Sequence, residues 1–199
     1  VSDPAKPVPY LPRPITGAQW KTWLVTDQRF VSDRTDVISY TTGTLTKAVH
    51  IMGPPQVDLF AATSGTDSDW VVKLIDVYPE ENPEGASQGS KPDMSGFELA
   101  IGIEIFRGRY VDDFAKPRAL KSGKAEHYRF NLPNVDHVFL PGHRIMVQVQ
   151  SSLFPIYDRN PQTFVPNIFY ARPGDYRKAT QSVFHGGATP SAVMLPIVP

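Results

Sequence analysis

Serine and histidine side chains are the first candidates for chemistry in this 199-residue chain, because together they can catalyse acyl transfer. In an α/β-hydrolase the nucleophilic serine lies in a Gly-x-Ser-x-Gly turn between a strand and a helix. Ser64 and Ser95 each precede a glycine, but both lack the first glycine of that turn and a following helical pattern. The sequence pairs no histidine with a nucleophile or an orienting carboxylate. The histidines are His50, His127, His137, His143 and His185. We therefore expect that no serine forms such a turn, that the imidazoles are structural, and that the chain has no catalytic residue.

Metal ligands are the second candidate chemistry. A His-x-His pair would project two imidazoles from one face of a strand, and the sequence contains no such pair. His137 and His143 lie on either side of the turn-forming residues 140–142, without a third ligand. The segment 65–69 offers calcium the carboxylates of Asp67 and Asp69, although a hairpin turn with Asx hydrogen bonds also explains it. We expect the turn, no metal and no other cofactor, and calcium stays the alternative.

Aromatic side chains are concentrated in a Pro- and Gly-rich segment near the N-terminus. They are Tyr10, Trp20, Trp23 and Phe30. Such a cluster in irregular chain either packs a long loop or forms the wall of an apolar pocket. The residues alone leave both interpretations open.

The stretch 142–169 combines a strand pattern with an aromatic, charged loop. Apolar residues at 145, 147 and 149 alternate with residues 146, 148 and 150, which is typical of a half-buried antiparallel strand. We expect this strand to end where Phe154-Pro155 removes a hydrogen-bond donor. Residues 158–161, Asp-Arg-Asn-Pro, then predict a turn whose charges pair or fix the loop.

Short alternating segments predict that the rest of the chain is β-structure. The predicted strands are 36–40, 50–52, 56–63, 69–78, 97–106, 125–132, 144–151, 180–185 and 192–198, with a further short one at 24–26. Within 97–106 we expect residues 99, 101, 103 and 105 to share one face. The acidic stretch 80–93 predicts an exposed loop, and helix is expected only near residues 174–178. The predicted core residues are Leu59, Val72, Leu74, Ile101, Ile103, Ile145, Val147 and Val149.

These elements favour an all-β fold, a jelly-roll β-sandwich over residues 36–199, preceded by a linker and loop over residues 1–35. Lys+Arg and Asp+Glu balance at 20 each, so charge gives no reason to expect nucleic acid or an anionic membrane as partner. The sequence has no cysteine and no apolar run of membrane-spanning length. The Pro-rich start, VSDPAKPVPY, indicates a linker that follows a preceding domain, with a trimmed native terminus as the alternative.

Six segments, in order along the chain, give it a resemblance to a known family. They are DPAKPVPY, DQRFVSDRTDVISYTT, DSDWVVKLIDVYPE, FRGRY, FLPGHRIMVQVQSSLFPIYDRNPQTF and PSAVMLPIV. The ordered set resembles the C-terminal β-domain of the serine hydrolases that include X-Pro dipeptidyl-peptidases, cocaine esterases and α-amino acid ester hydrolases. The glutaryl-7-aminocephalosporanic acid acylases share this domain, and their branch and the α-amino acid ester hydrolases look nearest.

The resemblance implies a non-catalytic accessory domain. In that family an α/β-hydrolase core and a helical cap precede the β-domain, the core supplies a Ser/His/Asp triad, and esters or amides are cleaved through an acyl-serine. The core and cap of the same polypeptide, and a small ester or amide substrate, are the implied partners. The resemblance is compatible with a periplasmic or secreted location and leaves open whether the longer protein forms a homo-oligomer.

Two sets of residues follow as candidates for contact with that longer protein. Tyr10 and Trp20 are expected to line its substrate cleft. An apolar docking face with an anchoring charge is expected at Phe154, Tyr157, Asp158, Arg159, Phe164, Ile168 and Phe169, unless these aromatics cover the open end of the sandwich itself. The rival from another class is a carbohydrate-binding module, which would need exposed aromatics. The only tryptophans are Trp20, Trp23 and Trp70.

Overall fold

The computed structural model describes residues 1–17, 19–81 and 93–199, and of Trp20 only the backbone. Within this part of the chain there are twelve strands. They are β1 (Val37–Thr41), β2 (Val49–Gly53), β3 (Gln56–Thr63), β4 (Asp69–Val77), β5 (Glu98–Arg107), β6 (Glu126–Asn131), β7 (Val135–Phe139), β8 (Arg144–Gln150), β9 (Gln181–Val183), β10 (His185–Gly186), β11 (Thr189–Pro190) and β12 (Ala192–Met194). Short 3₁₀ turns occupy Gln19–Lys21, Trp23–Val25, Gln28–Val31, Gly108–Tyr110, Ile168–Tyr170 and Pro173–Asp175. None of the helical elements described is long and apolar enough to cross a membrane.

Two antiparallel sheets form a β-sandwich, which confirms the predicted all-β fold. The first sheet has the order β1-β8-β4-β5, and the second has β12-β3-β6, with β9 also paired to β3. Strands β2 and β7 pair separately, and β10 and β11 form a hairpin. The finer expectation of a jelly roll, and the division at residue 35, stay predictions.

The main core lies between the two sheets. Alternation along β3 and β4 sends one face of each strand inward, because successive side chains of a strand point to opposite sides. The buried residues of this core include Val57, Leu59, Trp70, Val72 and Leu74. Of the predicted core residues, Leu59, Val72, Leu74 and Val149 are buried, whereas Ile101, Ile103, Ile145 and Val147 are only partly buried.

The N-terminal segment covers the outer face of the first sheet. Tyr10 and Leu11 form a second buried cluster with Val71 of β4 and Leu153. The expectation of a half-buried β8 is therefore wrong, since Gln148 and Gln150 on its polar face are buried, whereas Ile145 and Val147 on its apolar face are only partly buried. A covering segment more than a hundred residues away in sequence closes that face.

Strand β5 differs from the expectation that its apolar residues share one face. The ladder between β4 and β5 pairs Leu74 with Gly102 and Ile75 with Ala100, so Ile101 is an extra residue. Because one inserted residue exchanges the two faces of a strand, Ile101 packs in the inter-sheet core, while Ile103 and Ile105 pack under the N-terminal segment. The predicted single apolar face of β5 is wrong for this reason.

The smaller differences concern short segments. The predicted strand at 24–26 is a 3₁₀ turn over Trp23–Val25, strand β7 was not predicted, and the predicted strand at 180–185 is divided between β9 and β10. The expected helical turn lies at Pro173–Asp175. Most of the predicted acidic loop, residues 82–92, lies outside the described residues.

Candidate functional site

A buried ion pair lies at the end of the sandwich where the loop after β8 packs. Antiparallel pairing sets Asp69 opposite Arg107, which brings the turn before β4 next to the end of β5. Both Nε and Nη2 of Arg109 donate to the Oδ2 of Asp67, at 2.9 and 2.6 Å. The two side chains are 3% and 0% exposed. Burial raises the pKa of Asp67, and Arg109 opposes that rise.

Asp69 links this ion pair to the loop after β8. The Nδ2 of Asn160 donates to the Oδ1 of Asp69 at 2.8 Å, and the Nε of Arg107 lies 3.3 Å from the same oxygen. Burial raises the pKa of Asp69 to about 6, with Arg107 acting in the opposite direction. Both carboxylates that could bind calcium thus have protein partners. Among residues 1–17, 19–81 and 93–199, no three acidic or histidine side chains are placed to hold a metal ion.

The second half of the loop lies on this buried ion pair. The guanidinium of Arg109 stacks on the ring of Phe164 at 4.7 Å, and the Phe164 amide donates to the Thr66 hydroxyl at 2.8 Å. Ile168 is buried, whereas Phe169 is 74% exposed. The Arg109 pair therefore holds Phe164, which lies five residues before the exposed Phe169.

The first half of the loop contacts the N-terminal segment instead. The Phe154 amide donates to the carbonyl of Val8 at 2.9 Å, and the Arg159 guanidinium stacks over Phe154 at 5.4 Å. Arg159 also donates to the carbonyl of Pro4 at 2.9 Å. Tyr157 is half-buried against the Tyr10 cluster, and Asp158 is exposed. The structure thus separates the predicted docking residues into a group that binds the N-terminal segment and a group near Phe169, and their docking role stays a prediction.

Two exposed aromatic residues near Phe169 were not predicted. Tyr170 is 82% exposed and Phe114 is 78% exposed. Tyr110 stacks with Phe114 at 6.4 Å between ring centroids and shares with Phe169 a depression of about 260 Å³ beside Arg109. We call Tyr110, Phe114, Phe169 and Tyr170 the aromatic rim. Neighbouring aromatics in FVPNIFY and FRGRY were the only sequence signal for it, and aromatic type alone does not indicate exposure.

The predicted cleft residues lie in the N-terminal segment. Tyr10 is buried and makes an edge contact with Trp23, at 6.0 Å between ring centroids. Leu24 and Val25 follow directly and are exposed. The side chain of Trp20 lies outside the described residues. Tyr10 therefore packs this segment in the chain as it stands, and its role in a cleft stays a prediction.

Four of the histidines have carboxylate neighbours, which the sequence had not paired. His50 lies 2.7 Å from Asp136, and His127 contacts Asp58. The Nε2 of His137 and the Nδ1 of His143 lie 2.9 and 2.8 Å from the buried carboxylate of Asp76. The hydrogen bonds described bring no serine hydroxyl to any of these imidazoles. Tertiary structure was the missing information, because all four contacts join segments far apart in sequence; the His50 and His127 contacts lie across paired strands, and both contacts with Asp76 join other parts of the fold.

One serine does lie in the Gly-x-Ser-x-Gly sequence pattern, contrary to the expectation that none would. Residues 85–89, Gly-Ala-Ser-Gln-Gly, do match Gly-x-Ser-x-Gly, with Ser87 in the nucleophile position. They lie outside the described residues, in sequence between β4 and β5. Those two strands are paired in one sheet, whereas the hydrolase turn joins a strand to a helix. The sequence match by itself is therefore weak evidence that Ser87 is a nucleophile.

The fold and these contacts define a β-sandwich domain with a buried polar anchor and an exposed aromatic rim. Comparison with known proteins then identifies its family. Residues 12–194 match the X-Pro dipeptidyl-peptidase C-terminal non-catalytic domain, and the chain belongs to this family. A cocaine esterase from Rhodococcus sp. (strain MB1 Bresler) is 34% identical over 196 residues, which is 98% of this chain and 31% of the esterase.

Two solved structures support the same assignment. An α-amino acid ester hydrolase superposes with a TM-score of 0.93 at 56% identity, covering 99% of this chain and 32% of that one. An aminopeptidase from a marine sediment Thaumarchaeota archaeon gives a TM-score of 0.93 at 51% identity, covering 100% of this chain and 32% of that one. The chain thus spans about a third of the length of the relatives it matches. The carbohydrate-binding alternative is not favoured, and Trp70 is buried rather than exposed.

Proposed function

We propose that this chain is the accessory domain of a longer serine hydrolase that cleaves esters or amides through an acyl-enzyme. The observation that carries the proposal is the family match to a non-catalytic C-terminal domain, together with relatives about three times its length. Those relatives are named an esterase, an ester hydrolase and an aminopeptidase. The catalytic region and its substrate are therefore proposed for the longer protein and not for this chain.

The absence of catalysis is tested on the 199-residue chain. We expect no turnover of chromogenic aryl esters above the rate of the buffer. Turnover that a serine-directed phosphonate abolishes would contradict the proposal, and loss of that turnover in Ser87→Ala would assign it to the Gly-x-Ser-x-Gly match. A catalytically competent longer relative, assayed in parallel, serves as the positive control.

The aromatic rim is the surface that we propose docks on the catalytic region. Phe114, Phe169 and Tyr170 are each more than 70% exposed, and Tyr110, which stacks with Phe114, lines one depression together with Phe169. Exposed apolar patches on a folded domain mark interaction surfaces. The ion pair between Asp67 and Arg109 gives this surface a rigid base. The proposal includes Phe164 and Ile168 of the predicted docking set as the residues that position Phe169.

Replacing Phe169 tests docking when the change is made in two proteins. In the chain alone, Phe169→Ser should leave the free energy of unfolding unchanged, because the side chain is exposed there. In the longer protein the same change should cost about 1.5–3 kcal/mol, the effect of no longer burying a large apolar side chain. Met52→Ser is the control, since Met52 is an exposed apolar residue on β2. Equal, negligible effects of Phe169→Ser in both proteins would refute docking through the rim.

The N-terminal segment is proposed to form part of the substrate cleft of the longer protein. Support comes from its fixed position, since Tyr10 is held between Trp23, Val71 and the loop after β8. Apolar walls of this kind provide shape and desolvation more than chemistry. We expect Tyr10→Ala and Trp20→Ala to change kcat/KM between acyl donors by about 1–3 kcal/mol.

Because Tyr10 is buried, its truncation also needs a structural control. Leu11 lies next to it in the same buried cluster, so Leu11→Ala loses comparable packing without the phenol ring. If Tyr10→Ala and Leu11→Ala changed kcat/KM by the same factor for every acyl donor, the segment would be structural only.

A further inference from the structure

An apolar cavity lies between the two sheets. Its volume is about 210 Å³, and its apolar walls come from β3, β4, β8, β9 and β12. The lining includes Val57 and Leu59 from one sheet and Val72, Val147 and Val149 from the other. No residue of the predicted docking set or of the aromatic rim lines it.

The size of the lining side chains explains the cavity. Six of the lining residues are valines on the facing sheets, and two short strands, β9 and β12, replace one long neighbour for β3. Val147 was predicted to be core and is only partly buried, as expected where the opposite sheet leaves space. Voids of this size are rare in a close-packed interior and lose dispersion contacts along their walls.

The mouth of the cavity has two polar side chains that can still form hydrogen bonds. Tyr40 and His185 make an edge contact at 6.0 Å between ring centroids, and none of the hydrogen bonds described involves either side chain. The other polar groups at the cavity are already engaged. Ser191 accepts from the Phe60 amide at 2.9 Å, and Asp58 pairs with His127 and Arg129.

We propose that this cavity binds one small, neutral aromatic molecule, such as a phenol. An engineered apolar cavity of about 150 Å³ in another protein binds benzene, so the volume here suits a ring with a small substituent. The apolar walls offer no counter-charge, and the Asp58 carboxylate among the lining residues disfavours an anion. A neutral hydroxyl group directed to the mouth meets Tyr40 and His185. A second depression of about 310 Å³ shares Tyr40, Val147 and Val193 and gives a substituent room towards Leu195.

Binding is measured by ¹⁹F NMR titration of the 199-residue chain with 4-fluorophenol, fluorobenzene and 4-fluorobenzoate. We expect saturable one-to-one binding of the two neutral probes and none of the charged benzoate. Val193→Phe should fill the cavity and weaken binding at least about tenfold, or about 1.4 kcal/mol. Val138→Phe is the matched control, because Val138 is an exposed valine on β7, and it should leave binding unchanged.

Further variants keep the proposal falsifiable if Val193→Phe does not fold. Val183→Leu adds a single methylene to the lining and should weaken binding in proportion to the volume lost. Tyr40→Phe should weaken 4-fluorophenol binding and leave fluorobenzene unaffected. Absence of saturable binding, or equal binding by wild type, Val183→Leu and a folded Val193→Phe, would overturn the proposal. So would binding by the chain that is lost in the longer protein, because another segment would then fill the cavity.

Discussion

Replacing Asp67 by asparagine should test whether the buried ion pair stabilises the end of the sandwich that presents the aromatic rim. The change preserves the shape of the side chain and removes its charge, so the guanidinium of Arg109 stays buried without a counter-charge. Removing one partner of a buried pair typically costs about 3–5 kcal/mol. Burial raises the pKa of Asp67 despite Arg109, so desolvation offsets part of the attraction. We therefore expect about 3 kcal/mol, the lower end of that range.

Urea denaturation of wild type and variants measures this cost from the midpoint at constant m-value. Asp112→Asn is the matched control, because Asp112 also pairs with an arginine, Arg118, but is largely exposed. That control should change the midpoint by no more than the error of the measurement. The double variant Asp67→Asn/Arg109→Met should recover much of the loss, since no unpaired charge then remains buried. An Asp67→Asn midpoint equal to that of Asp112→Asn would refute the reasoning.

Three further predictions concern the folded chain. Burial lowers the pKa of Lys73 to about 7 against 10.5 in the unfolded chain, so the unfolded chain binds more protons between these pH values and stability should rise with pH there. Lys73→Met should remove that rise, which approaches about 1.4 kcal/mol per pH unit. Identical pH profiles of the free energy of unfolding for wild type and Lys73→Met would contradict this prediction. Leu74→Ala should cost about 2–4 kcal/mol in urea denaturation, and Val147→Ala should cost less because Val147 already borders a cavity; the reverse order would contradict the cavity. Gly65→Ala should destabilise the chain, because a Cβ at this position would lie 2.2 Å from the Gln162 carbonyl oxygen. Gly43→Ala should not, because Gly43 has open space around it. Equal thermal midpoints of the two variants would contradict this packing.

Sequence periodicity predicted most strands because alternation and turn residues are local signals. Strand β3 has the predicted bounds, and the inward-facing residues Val72 and Leu74 of β4 were also predicted. The failures have non-local causes. The burial of Gln148 depends on the N-terminal segment, and the exchange of faces in β5 depends on one unpaired residue, Ile101, in its ladder with β4. Neither the covering segment nor the register is visible in a single strand sequence.

The candidate site was predictable only in part. The segments that carry the family resemblance meet in space, since DSDW supplies Asp67, FRGRY supplies Arg109 and DRNPQTF supplies Asn160 and Phe164. Residue type alone could not show that Arg159 holds the N-terminal segment while Phe169 is exposed. That distinction depends on which stacking partner each residue finds in the folded loop.

Amide hydrogen exchange over residues 164–170, compared between the 199-residue chain and the longer protein, tests the docking account most directly. We expect slower exchange in the longer protein at the amides around Phe169 and Tyr170, because the aromatic rim would be covered there. Strand β2, on which the Met52 side chain is exposed, provides the internal reference and should exchange equally in both proteins. Equal exchange of residues 164–170 in the two proteins would contradict the account.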